Sequence, residues 1–275
     1  MVSSAFVPYC GQSPIPGAVS WNIDPVLTSI LCAIGAIYVL GCRGAGAPTS
    51  GQQRYFGIGL FVAAAAFLSP LCNLSVALFS ARVTQHVVLT LIAAPLIALG
   101  RPEIALAWLL PQGAGQRRRT ERFGVAASCA AFAAAMWTWH MPGPYDATLQ
   151  NNLIYWLMHV TTFGSAMAMW HFLLVRDQSR AGAAVASVAT GVQMSLLGAL
   201  LTLAPSPLFV VHFSTTRPWG LSPLQDQQLG GVVMWVLAGA LFTAYGLAAF
   251  AHWLNANDDP AELNRAHEPA MRGGA

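Results

Sequence analysis

Seven apolar runs divide this chain, and each is long enough to cross a lipid bilayer as a helix. They cover about residues 26–41, 55–71, 75–99, 123–141, 153–175, 183–204 and 229–253. A span takes ~20 residues, and tilt absorbs the variation in length. Backbone in lipid must satisfy its own hydrogen bonds, so runs this long and rich in Ala and Leu predict helices rather than strands. Only 8% of residues are charged and 56% are hydrophobic, whereas a soluble domain carries roughly 25% charged residues. The expected fold is all-α: a polytopic membrane bundle of about seven transmembrane helices, one integral membrane domain over residues 1–254. A polar tail at 255–275, with Asp258, Asp259, Glu262 and Glu268, is expected to be cytoplasmic and disordered. No internal repeat or second domain is visible.

Charge placement orients such a bundle, because loops rich in Lys and Arg stay inside. All thirteen basic residues are arginines. The loop at 42–54 holds Arg43 and Arg54. The loop at 100–122 holds Arg101, Arg117, Arg118, Arg119 and Arg122. The loop at 176–182 holds Arg176 and Arg180, and the tail holds Arg265 and Arg272. The opposite side has only Arg217. The N-terminus is therefore expected outside and the C-terminus inside, the parity that seven spans require. The net charge of +3 reflects this topology signal and does not suggest a nucleic-acid partner. The N-terminal stretch has no basic residue before its first apolar run, which argues against a cleaved signal peptide.

Within this frame four histidines fall towards the outer face. His86 lies in the outer half of the third run, His140 at the end of the fourth, His159 near the start of the fifth, and His212 in the loop at 205–228. Ionisable and polar side chains at membrane depth are costly and mark a pathway, a relay or a site. Imidazole is a common metal ligand, so a metal site is the sharp reading. Separate histidines, each bonded to a neighbouring helix, are the bland one. Met136 and Met141 flank His140, and imidazole with thioether suits Cu(I); ordinary packing competes for both methionines. Asp146, Asp226, Arg82 and Tyr155 are the candidates to support such ligands. Arg82 is expected to pair with Asp146, Asp226 or a bound anion, or else to reach the headgroups. Cys10 and Cys72 would share the outer side; a disulfide between them is open, with free thiols the simpler expectation. No nucleophile, base and oxyanion arrangement and no phosphate loop is present, so the chain does not read as an enzyme.

Several short motifs, in order along the chain, carry a family resemblance. They are Trp21-Asn22-Ile23-Asp24-Pro25, Ser69-Pro70, Gln85-His86, Ala94-Pro95-Leu96 and Gly100-Arg101-Pro102. The most specific is Trp139-His140-Met141-Pro142-Gly143-Pro144-Tyr145-Asp146, followed by His159, Trp170, Asp226-Gln227, Gly230-Gly231 and Trp235. With these the chain resembles the CtaG-type cytochrome c oxidase assembly proteins linked to caa-type oxidase. The resemblance implies a multi-pass protein of the bacterial inner (plasma) membrane. Its partner would be the catalytic subunit of cytochrome c oxidase, and its task delivery or insertion of copper, as Cu(I), from the outer face. A soluble copper donor outside the membrane is a further implied partner. The family pattern has a histidine four residues before the one matching His86; this chain has Arg82 there, which puts a two-histidine clamp on that span in doubt. Two alternatives stand beside copper delivery. One is a haem-binding or quinone-reactive redox subunit, with His86 and His159 as axial ligands. The other is a metal-free membrane chaperone of the oxidase.

Overall fold

The computed structural model describes residues 6–43, 46–106, 119–175 and 180–257. Arg117, Arg118, Arg176 and the tail from 258 onwards lie outside them, and nothing is said of the side chains of Arg119, Arg122 and Arg180. Every regular element among the described residues is helical.

Helix starts follow the local chemistry. Asp24 caps α1 (Pro25–Gly41), accepting from the N–H groups of Val26 at 2.7 Å and Leu27 at 3.4 Å, with Pro25 at the first helical position where its missing N–H costs nothing. Thr49 and Gln52 cap one another at the start of α2 (Ser50–Leu68). Ser69-Pro70 then ends α2 and starts α3 (Pro70–Ala77), bent by 48° from it. Leu78 is extended and breaks the chain again before α4 (Phe79–Val87). The sequence placed the second and third spans at 55–71 and 75–99; the breaks at Ser69 and Leu78 shift both.

α4 continues through a π-helical segment, Val88–Ala93, into α5 (Ala94–Leu99), giving one stretch, Phe79–Leu99. A π segment leaves room for an extra residue per turn and is common beside functional sites. Here it follows His86 directly, and the carbonyl of Thr90 inside it accepts the indole N–H of Trp170 at 2.7 Å. A short α6 (Pro102–Ala105) follows. The remaining helices are α7 (Arg119–Trp139), α8 (Pro142–Thr148), α9 (Asn152–Leu174), α10 (Arg180–Leu203) and α11 (Pro223–Asn257).

Phe79–Leu99, Gly182–Leu203 and Pro223–Ala251 are long and apolar enough to cross a membrane, and α2 with α3 makes a fourth if the bent pair is one span. The other apolar runs fall short of that description for stated reasons. α1 and the Gly124–Trp139 part of α7 are shorter. α9 has the length, but Tyr155, His159, Thr161, Thr162 and Ser165 lower its hydropathy; Tyr155, His159 and Thr162 among them are buried. Exposed faces are apolar too: Val185, Val188, Val192, Leu196, Leu200 and Leu203 form a stripe along α10. A helix apolar on its buried and its exposed faces suits lipid rather than water.

α10 and α11 pack at backbone distance. A Cβ added to Gly231 would meet the Gly198 carbonyl at 2.8 Å and the Thr202 nitrogen at 2.8 Å. Small residues permit this close approach, which is how helices associate in lipid.

Candidate functional site

The polar core lies where α4, α8 and α9 meet under the N-terminal segment. α4 supplies Arg82, Gln85 and His86. Arg82 and His86 stand one turn apart on one face. α7 delivers His140 just past its end, α8 delivers Tyr145 and Thr148, and α9 delivers Tyr155 and His159. All are buried; Arg82, His86, His140 and His159 are 1–5% exposed.

The start of α4 has no cap of its own, because Leu78 offers no side-chain acceptor. Asp226 of α11 takes that role from 146 and 147 residues away. Its carboxylate accepts the N–H of Phe79 at 2.6 Å, the N–H of Ser80 at 3.2 Å and the Ser80 hydroxyl at 2.5 Å. Gln227 beside it donates to the Leu201 carbonyl at 3.1 Å and accepts the Leu208 N–H at 2.7 Å. Asp226 thus positions the helix that carries Arg82 and His86, and does not orient a histidine directly as the sequence suggested.

The three span histidines gather around His86. Its ring centroid is 5.2 Å from that of His159 and 6.3 Å from that of His140. Two imidazoles on one ion, with metal–nitrogen bonds near 2 Å, have centroids up to roughly 6 Å apart. His140 Nδ1 faces the Met136 carbonyl at 2.7 Å, and His159 Nδ1 faces the Tyr155 carbonyl at 3.0 Å. A carbonyl can only accept, so each Nδ1 carries the proton and each Nε2 keeps its lone pair. That is the tautomer a metal ligand needs, fixed by a backbone partner. His159 Nε2 and both ring nitrogens of His86 make no hydrogen bond. Among the described residues no three or more His, Cys, Asp or Glu side chains are arranged so that they could hold one metal ion.

Other expected members are placed differently. His212 is apart from the cluster, with Nε2 against the Tyr145 hydroxyl at 2.7 Å and Nδ1 against the Ala77 carbonyl at 3.2 Å and the Thr215 hydroxyl at 3.3 Å. Both nitrogens are used, so it offers none to a metal. Burial, with the Arg82 charge adding to it, pushes its imidazole down to about 3. Met141 is 53% exposed, and the contact Met136 makes with His140 is through its carbonyl. The Asp146 carboxyl is directed at the backbone of Val210 and Val211, with burial raising it above the usual range.

Arg82 forms no ion pair with Asp146 or Asp226; the ion pairs among the described residues are Arg101–Glu103 and His171–Glu103. Its Nη1 donates to the Thr148 hydroxyl at 2.9 Å. Its guanidinium lies 5.3 Å from the Tyr145 ring centroid and 5.6 Å from that of Tyr155, a cation–π arrangement. The Tyr145 hydroxyl also lies near the guanidinium but is bonded to His212.

Cys10 and Cys72 form a disulfide, against the simpler expectation of free thiols. It ties the N-terminal segment over the cluster. The Tyr155 hydroxyl sits 3.3 Å from Cys10 Sγ, and the Tyr155 ring stacks on Tyr9 at 5.0 Å and packs at a tilt against His159 at 4.3 Å. Tyr9 in turn donates its hydroxyl to Asp24. Sequence reasoning missed Thr148, Tyr145 and Tyr9. Tyr145 stood within the quoted motif, whereas Thr148 and Tyr9 carried no signal beyond their types.

No curated protein and no solved structure matches the chain. The sequence profile described as cytochrome c oxidase caa3 assembly factor (Caa3_CtaG) matches residues 36–256, which takes in α2 to α11, every histidine of the cluster, Arg82 and Cys72, and leaves out Cys10. A match over that much of the chain assigns it: this protein belongs to the cytochrome c oxidase caa3 assembly factor family.

Proposed function

We propose that this assembly factor carries Cu(I) as cargo on His86, His140 and His159 and passes it to the catalytic subunit of the oxidase at the outer face of the membrane. The observation that carries the reading is the trio of buried imidazoles. Two of them have Nε2 lone pairs fixed by backbone carbonyls, and both nitrogens of the central one are unbonded. Imidazole suits Cu(I), and a site with so few ligands can release its ion to a stronger one. A soluble donor outside the membrane would load it. The role is transfer, without catalysis.

The topology that goes with this reading has seven spans, N-terminus outside and C-terminus inside, in a bacterial inner membrane. The seven would be α1, α2 with α3, Phe79–Leu99, α7, α9, α10 and α11. Besides the arginine asymmetry, the Cys10–Cys72 disulfide supports it, because disulfides persist on the oxidising side of a membrane. Haem between His86 and His159 fits less well. Phe67, Tyr155 and Trp156 pack on the His159 ring at 5.0, 4.3 and 6.2 Å, where a macrocycle would have to lie.

The test is metal analysis joined to oxidase assembly. Wild type purified in detergent is expected to hold about one copper without a Soret band. His86→Ala and His159→Ala should accumulate in the membrane, lose most of that copper and fail to support oxidase activity under copper limitation. Added copper should partly restore activity by mass action. His267→Ala serves as control. Full oxidase activity in both site variants at limiting copper would falsify the cargo role; failure with no rescue at any copper level would favour a metal-free chaperone.

A further inference from the structure

Arg82 is a buried charge with no counterion among the described residues. Of the ten buried side-chain polar atoms that find no hydrogen bond among the described residues, six belong to Arg82, Gln85, His86 and His159. Two of them are Nε and Nη2 of Arg82. These N–H groups lie on one edge of the guanidinium, side by side, and form the fork that grips two oxygens at once. The other edge is taken, since Nη1 donates to Thr148. Tyr145 and Tyr155 flank the guanidinium. A guanidinium does not give up its proton in a protein, and removing it from water uncompensated is strongly unfavourable.

We propose that the free edge of Arg82 is a binding site for a small carboxylate, held bidentate by Nε–H and Nη2–H. A carboxylate is planar, and its two oxygens match the two N–H groups of the fork. Its single negative charge neutralises the site, whereas a doubly charged phosphate would leave a net charge buried. His86, one turn along the same face with both ring nitrogens unbonded, can donate its one ring N–H to the same anion. The site needs no copper, although it shares His86 with the cargo reading.

The experiment uses the full chain in detergent, freed of metal with a Cu(I) chelator, at constant ionic strength. Saturation-transfer NMR on the acetate methyl group reads binding. Wild type should show saturable transfer that formate displaces and that chloride or inorganic phosphate at equal ionic strength does not. Arg82→Lys keeps the charge but loses the fork, and should weaken acetate at least about tenfold, the loss of one charge-assisted hydrogen bond. If that variant does not accumulate, the wild-type competition decides alone. Absence of saturable transfer, displacement by chloride or phosphate as readily as by formate, or wild-type affinity in Arg82→Lys overturns the site. Copper content of untreated protein is measured in parallel. Acetate binding without copper leaves this site standing and sinks the cargo reading; copper without acetate binding does the reverse.

Discussion

His212 lies in the 205–222 loop with both ring nitrogens bonded, and its folded imidazole takes up a proton only near pH 3. In the unfolded chain the same ring protonates at about 6.5. Between those values the unfolded state binds one more proton, so stability falls as the pH drops from 6.5 towards 3. The slope from this residue is up to about 1.4 kcal/mol per pH unit. Thermal unfolding in detergent from pH 7.5 to pH 5 should show it, and His212→Gln should flatten it. Arg82 makes the opposite point. Its environment is arranged for a charge: two aromatic faces, one hydroxyl and a fork of two N–H groups that has no partner among the described residues. Sequence alone gave it three candidate partners, two of them acidic. Whether Asp146 or Asp226 reaches Arg82 depends on where α8 and α11 place their carboxylates, and no local pattern encodes that.

Among the elements, α10 and α11 show how backbone contact limits the sequence. Gly231→Ala would push a methyl group into the Gly198 carbonyl and the Thr202 backbone. Overpacking of this kind costs about 1–3 kcal/mol, and should appear as a lower unfolding temperature. Gly164→Ala, on α9 with open space around its Cβ position, should be neutral or stabilising by about 0.5–1 kcal/mol. Helical character was legible from the apolar runs, since length and composition alone exclude strands. The breaks were half legible: Ser69-Pro70 is a cap and stop in plain view, whereas Leu78 is an ordinary apolar residue that nothing local marks as extended. The π segment after His86 was invisible, because Val88–Ala93 contains neither Gly nor Pro and reads as ordinary apolar helix. The clustering of His86, His140 and His159 followed from span order and depth. The bonded state of His212 did not follow, because its loop is pinned by Gln227 and Tyr145 from other helices.

At the scale of the whole molecule two long-range links hold the cluster in place. The Cys10–Cys72 disulfide closes a loop of 62 residues. Cys10→Ser with Cys72→Ser should cost about 2–4 kcal/mol and loosen the packing of Tyr9 and Tyr155 over His159, read as a lower unfolding temperature in detergent. The second link is Asp226 at the start of α4. Asp226→Ala leaves the Phe79 and Ser80 N–H groups without their acceptor. About 0.5–2 kcal/mol of stability should go with that cap, read as a lower unfolding temperature although no residue of the histidine cluster is touched.

That second link also orders events during synthesis. α4 leaves the ribosome almost 150 residues before Asp226 does, so its first turn stays uncapped until the last helix is made and packed. Arg82 and His86 therefore reach their final setting only in a finished chain. A ribosome-bound fragment would display the histidines without arranging them, and a chain cut short before α11 would lack the cap that sets the helix carrying Arg82 and His86.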